Sequence, residues 1–152
     1  IIKRIAIVAL ISAVAGVGVF LYMFNMPHRD VIASEADHTL TSSEIVSEYL
    51  SNAQSANEKY LAADGDSKIL QITGKVNKIT EDFNGQKVVL LKDDRDPAGV
   101  SASFTSETND ELNNVKPGQI ITVKGVIRSG ASFDEDLGFY LNVVLEKSNL
   151  VN

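Results

Sequence analysis

Side chains able to do chemistry are scarce in this chain, and their spacing matches few catalytic or ligand-binding devices. The 152 residues include two histidines, His28 and His38, and no cysteine. Without thiols there is no disulfide, zinc–thiolate, iron–sulfur or thiol-nucleophile chemistry, and no lipidated cysteine as an anchor. The histidines stand ten positions apart in a stretch without helical period, which is not a metal-ligand pair. His28, beside Arg29, suits contact with a partner subunit or a lipid headgroup, and His38 reads as structural. Asp93-Asp94-Arg95-Asp96 offers oxygen ligands to Ca²⁺, which takes about six to eight of them. It lacks the glycine and closing glutamate of an EF-hand loop, and acids before Pro97 also suit turn capping. Calcium at Asp93, Asp94 and Asp96 stays open on the sequence. Asp134-Glu135-Asp136 reads as a solvated loop tip. There is no Gly-x-Ser-x-Gly elbow, no His-Glu-x-x-His and no phosphate-cradling glycine loop. The expectation is a non-enzyme with no catalytic residue, cofactor or metal.

The elements around these residues begin with an apolar run. Residues 5–24 carry no charge, and Ser12 is the one strongly polar member. As a helix the run would span roughly 30 Å, the thickness of a bilayer's hydrocarbon core. It ends in Phe20-Leu21-Tyr22-Met23-Phe24, too bulky for signal-peptide cleavage, so residues 1–24 are expected to be an uncleaved transmembrane anchor. Lys3 and Arg4 orient the N-terminus to the cytoplasm and the rest to the periplasm of a bacterial inner membrane. The first residue is Ile rather than Met, so further cytoplasmic residues are expected before it. Ala9, Ser12, Ala13 and Gly16 share one helical face, where small side chains would admit a membrane partner.

Past the anchor the composition turns acidic. Residues 25–152 hold 12 basic and 20 acidic side chains, a net charge of -8. That sign opposes nucleic-acid binding by charge. Residues 25–40 read as a juxtamembrane linker broken by Pro27. Thr41-Ser42-Ser43-Glu44 fits a capping box opening a helix over 41–65, with an apolar stripe through Ile45, Val46, Tyr49, Leu50, Ala53, Tyr60 and Leu61. Residues 66–152 change to period two. Strands are expected around Leu70–Val76, 87–91, 100–104, Ile121–Ile127 and 139–145, with Asn84-Gly85 turning the first hairpin. A short helical stretch around Leu112 separates the third and fourth strands. Five strands so arranged make an OB-fold barrel, giving a mainly β fold with helices. Gly74 and Gly125 fall inside strands, where glycine permits a bulge or close approach.

Asn25-x-Pro27-His28-Arg29-Asp30, the helix with Asn57-Glu58-Lys59-Tyr60, Thr73-Gly74-Lys75-Val76 and Pro117-Gly118-Gln119-x-Ile121-Thr122-Val123-Lys124-Gly125 resemble a family of small OB-fold lipoproteins of Bacteroidetes, grouped as tRNA_anti-like. The resemblance covers most of residues 25–152, and this chain departs from it by lacking the lipidated cysteine. It implies the barrel, and by fold analogy nucleic-acid binding, with no catalytic residues to carry over.

The charge argues against that function here. The two loops an OB barrel uses for ligands read Glu81-Asp82-Phe83-Asn84 and Ser132-Phe133-Asp134-Glu135-Asp136, each a lone Phe among acids. The leading expectation is a non-enzymatic, membrane-anchored accessory subunit of a larger integral membrane complex. Its candidate contacts are Ala9, Ser12, Ala13 and Gly16 in the membrane, Pro27, His28, Arg29 and Asp30 beside it, and Phe133 on the barrel. The alternatives are a periplasmic module binding an oligosaccharide, peptide or small molecule and, less favoured, single-stranded nucleic acid.

Overall fold

The structure is a computed structural model that describes residues 2–25 and 29–152, and within the first helix it leaves out the side chains at 2–4, 6, 9 and 10. It divides into two units, 1–30 and 31–152.

In the first unit α1 runs Ile2–Phe24. Its described side chains are exposed, and Phe20 and Phe24 pair one turn apart at 5.1 Å. Asn25 closes the helix by donating its backbone and side-chain N–H to the Leu21 carbonyl. Among the described residues no helix is long and apolar enough to cross a membrane. Undescribed side chains interrupt α1, so the expected transmembrane anchor rests on the sequence.

The second unit begins at Val31, which is buried. The linker expected over 25–40 is therefore too long. Lys124 Nζ donates to the carbonyls of Ile32 and Ser34, each at 2.8 Å. Asp37 exchanges two hydrogen bonds with the Ile69 backbone, both 2.8 Å. A short strand β1 (His38–Thr41) then lies parallel to the start of β2 (Ile69–Glu81). Four residues are too few for the period-two alternation to stand out in the sequence.

The barrel closes through β2, β3 (Lys87–Leu91), β4 (Val100–Phe104), β8 (Val143–Leu150) and β5 (Ile120–Ser129), which returns to β2. The β4–β8 pair is parallel and the other four contacts are antiparallel. Alternation decides the facing: Val100, Ala102 and Phe104 point inward, and Ser101 and Ser103 stay outside. A single 3-10 turn at Asn109–Leu112 separates β4 from β5. Gly125 sits at a register shift in the β5–β8 ladder, and a Cβ there would meet Ser148 Oγ at 2.5 Å.

The helix expected over 41–65 is two helices, α2 (Ser42–Ser51) and α3 (Ala53–Tyr60). The capping box forms: Thr41 Oγ1 accepts from Glu44 N, and Glu44 Oε2 accepts from Thr41 N at 2.7 Å. Asn52 is extended, ends α2 and caps α3 by accepting from Ser55 N at 3.0 Å. An Asn that can satisfy the next helix's free N–H groups competes with helix continuation. The elbow lets Tyr49 and Tyr60 enter the same core, rings 6.2 Å apart, with Ile45, Val46, Leu70 and Ile127. Gly130 provides the space for Tyr49, since any Cβ there would overlap the ring.

The connection between β5 and β8, expected to be a loop leading into a strand over 139–145, is built differently. It forms a separate two-stranded hairpin, β6 (Ser132–Asp134) and β7 (Phe139–Leu141). Asn142 breaks the expected strand, and its Oδ1 accepts from Gly99 N at 2.9 Å.

Candidate functional site

The two acidic segments part company in the structure. Asp93 Oδ1 accepts from Arg95 N and faces the Arg95 guanidinium at 3.5 Å. Those hydrogen bonds and that charge hold its carboxyl below the usual range. Asp94 pairs with Lys75 at 2.7 Å, which raises the Lys75 ammonium's pKa. Asp96 accepts from Ser43 Oγ at 2.5 Å. Each carboxylate thus serves a different neighbour. Among the described residues no cluster of three potential ligands could hold a metal ion.

The second segment lies at the tip of the β6–β7 hairpin. Asp134 Oδ1 accepts from Asp136 N and Leu137 N, both 3.0 Å, and so shapes the turn. Glu135 and Asp136 project into solvent. Around them stand Phe133, Leu137 and Phe139, which are 50%, 59% and 52% exposed, with Tyr140 and Leu141 also exposed. Phe133 and Tyr140 face each other across the hairpin, ring centroids 4.9 Å apart. Phe139 and Leu141 alternate with Tyr140 and so occupy the opposite face. A ribbon apolar on both faces leaves much of that surface in water, which makes it a candidate interaction surface. From 129 to 146 the sequence has four acids and no lysine or arginine.

The other ligand loop of the barrel is the β2–β3 turn. Asp82 Oδ1 accepts from Asn84 N and Gln86 N, and Gly85 adopts φ +76°. Phe83 is wholly exposed. Between the two loops the outer face runs in rows of Thr80, Val88 and Ser103, and of Lys78, Leu90, Ser101 and Val144. Lys78 is the sole base in those rows, and no aromatic ring stands there to stack a nucleotide base.

The sequence reading missed a cluster at the helical elbow. Glu48 Oε2 accepts from Tyr60 Oη at 2.8 Å, and Lys59 Nζ donates to both Glu48 oxygens at 3.1 and 3.3 Å. Lys59 also lies 4.8 Å from the Tyr60 ring centre, and His38 packs edge-on against that ring at 5.3 Å. Burial raises the Tyr60 phenol, and hydrogen bonding to Tyr60 and Glu48 raises the Lys59 ammonium. Glu48 and Lys59 are eleven positions apart, which in one continuous helix would hold them roughly 16 Å apart along the axis, so only the bend at Asn52 reveals the pair. The cluster pins α3 against α2.

Of the expected contact residues, Pro27, His28 and the side chain of Ala9 lie outside the described residues. Ser12 Oγ donates to its own helix at the Val8 carbonyl, 3.0 Å, and Ala13 and Gly16 are exposed on α1. Arg29 is half-buried and Asp30 exposed. Phe133 is the one that falls in a group of exposed apolar side chains within the barrel unit.

Five strands closed by a parallel pair, with a short helical turn between the third and fourth, define an OB-fold barrel protein. The chain belongs to the tRNA_anti-like family, whose model matches residues 1–135. It is also similar in fold to a structure described as a "putative nucleic acid-binding lipoprotein" from Klebsiella pneumoniae subsp. pneumoniae MGH 78578. That likeness has 17% identity and a TM-score of 0.55, and covers 84% of this chain and 100% of that one. No curated protein matches the chain.

Proposed function

We propose that this protein is a non-enzymatic binding module, tethered to the bacterial inner membrane by residues 5–24, with its barrel on the periplasmic side. There it serves as an accessory subunit of a larger membrane assembly. The hairpin β6–β7 is the docking element. One observation carries the reading: five exposed apolar side chains share a hairpin with three acids and no base. Charge complementarity specifies the occupant as a protein surface with an apolar pocket rimmed by Lys or Arg.

Nucleic-acid binding, which the description of the Klebsiella structure would suggest, has less support. The acids beside Phe83 and Phe133 repel phosphates, and the strand face between the loops lacks stacking rings. Hydrophobicity and charge sign support the tether: twenty uncharged residues follow Lys3 and Arg4.

Mild-detergent extraction of the tagged full-length chain tests the reading. A companion protein is expected to co-purify, to dissociate faster as salt rises, and to be lost from the variant F133S/L137S/F139S. A lone chain, or a companion that the triple variant retains, would remove the docking role. Saturable binding of single-stranded DNA at moderate salt would favour the nucleic-acid alternative.

A further inference from the structure

A second site lies on the barrel wall, apart from the hairpin residues and built around a backbone irregularity. The β4–β8 ladder shifts register between Ala102 and Phe104, so Glu146 and Lys147 bulge out of β8. Lys147 adopts φ +52°, the one non-glycine residue with positive φ among those described. A lysine is strained there, whereas glycine, and to a lesser degree asparagine, is not. The bulge is fastened behind: Thr108 Oγ1 donates to the Ser148 carbonyl at 2.7 Å, and Leu150 N donates to Glu111 Oε2 at 2.6 Å. In front lies a cavity of about 380 Å³, lined by Asp82, Gln86, Ser103, Thr105, Glu146 and Lys147. Bulges re-aim side chains beside binding sites, and a strained residue that keeps a long cationic side chain calls for a use of that side chain.

The lining states what it would take. No carboxylate among the described residues forms an ion pair with the Lys147 ammonium. Glu146 meets Arg128 at 3.8 Å in an exposed pair, which leaves its carboxylate open to competition. Asp82 spends Oδ1 on the backbone of its own turn, leaving Oδ2. A cation and two anions therefore line one cavity with no ion pair between them, beside Ser103, Thr105 and Gln86. We infer that this cavity binds a small zwitterion of amino-acid or short-peptide size, its carboxylate on Lys147 and its ammonium toward Glu146 and Asp82. The inference does not depend on the docking role of the hairpin.

Amide NMR titration of the full-length chain in detergent with zwitterionic trialanine tests it. Saturating shifts are expected at residues 82–86, 103–105 and 146–147, and at least tenfold weaker binding of N-acetyl-trialanine amide, which carries neither charge. Lys147→Gly relieves the backbone, so it should raise the unfolding midpoint while weakening trialanine at least tenfold. Lys147→Asn, which tolerates the same backbone, should weaken it similarly. Absence of saturating shifts would overturn the site, as would equal binding of the capped peptide. So would a Lys147→Gly protein that binds as well as the parent.

Discussion

The two acidic segments, 93–96 and 134–136, look alike in the sequence and do opposite work. The first is absorbed into the fold: Asp94 on Lys75, Asp96 on Ser43, Asp93 on its own turn. The second keeps only Asp134 for the turn and leaves Glu135 and Asp136 in water beside exposed rings. Composition cannot separate a staple from an exposed tip. The difference lies in what the rest of the chain brings to each: β2 and α2 supply a lysine and a serine to the first, and nothing comes to the second. The same division separates the helical elbow and barrel, whose apolar side chains are buried, from the β6–β7 hairpin, whose apolar side chains stay exposed.

Substitutions break this comparison in order of size. Tyr49→Ala removes a buried ring from the core between α2 and the barrel and should cost about 3–5 kcal/mol in urea unfolding. The triple hairpin variant F133S/L137S/F139S removes three rings or aliphatic groups yet should change stability by under about 1 kcal/mol. Equal losses from the two would erase the distinction between core and docking element. Gly125→Ala pushes a Cβ toward Ser148 Oγ and should cost about 1–3 kcal/mol, measurable as a lower denaturation midpoint.

Smaller changes sharpen the acid comparison. Thr41→Ala opens the capping box and should cost about 1 kcal/mol. Asp96→Asn weakens the bond to Ser43 and should cost about 1 kcal/mol, whereas E135Q/D136N should leave stability within about 0.5 kcal/mol. Acid should lower stability through the partnered carboxylates. The capping hydrogen bonds lower Glu44, and the bonds from Arg95 lower Asp93, so both carboxyls are more acidic folded than unfolded. Their contribution is whole above the unfolded value, about pH 4, and is lost as pH falls through the lower folded value. Glu44→Ala should flatten that part of the stability–pH curve.

Much of the barrel is legible from alternation alone. Val100-Ser101-Ala102-Ser103-Phe104 shows its inward and outward residues directly, and Asn84-Gly85 marks its turn. The failures share a cause. Phe139, Leu141, Val143 and Leu145 alternate without interruption, yet the first two are exposed in β7 and the last two buried in β8. A period of two reports an extended chain, not which sheet it joins, and only the Asn142 bond to Gly99 shows the break. Asn52 is a residue type able to cap, but the apolar stripe on either side of it reads as one helix and conceals that it does. Phe133 was legible as a lone aromatic; its neighbours Leu137, Phe139 and Tyr140 became a surface only once the hairpin was seen to stand apart from the barrel sheet.

The docking claim is tested most directly by placing a photo-crosslinking amino acid at position 137 of the full-length chain in cell membranes, with position 118 in the Lys116–Gln119 turn as control. A discrete adduct from position 137, absent at 118 and fading as salt rises, is the predicted result. No adduct from 137, or the same adducts from both positions, would contradict the assignment of this hairpin as the partner-binding surface.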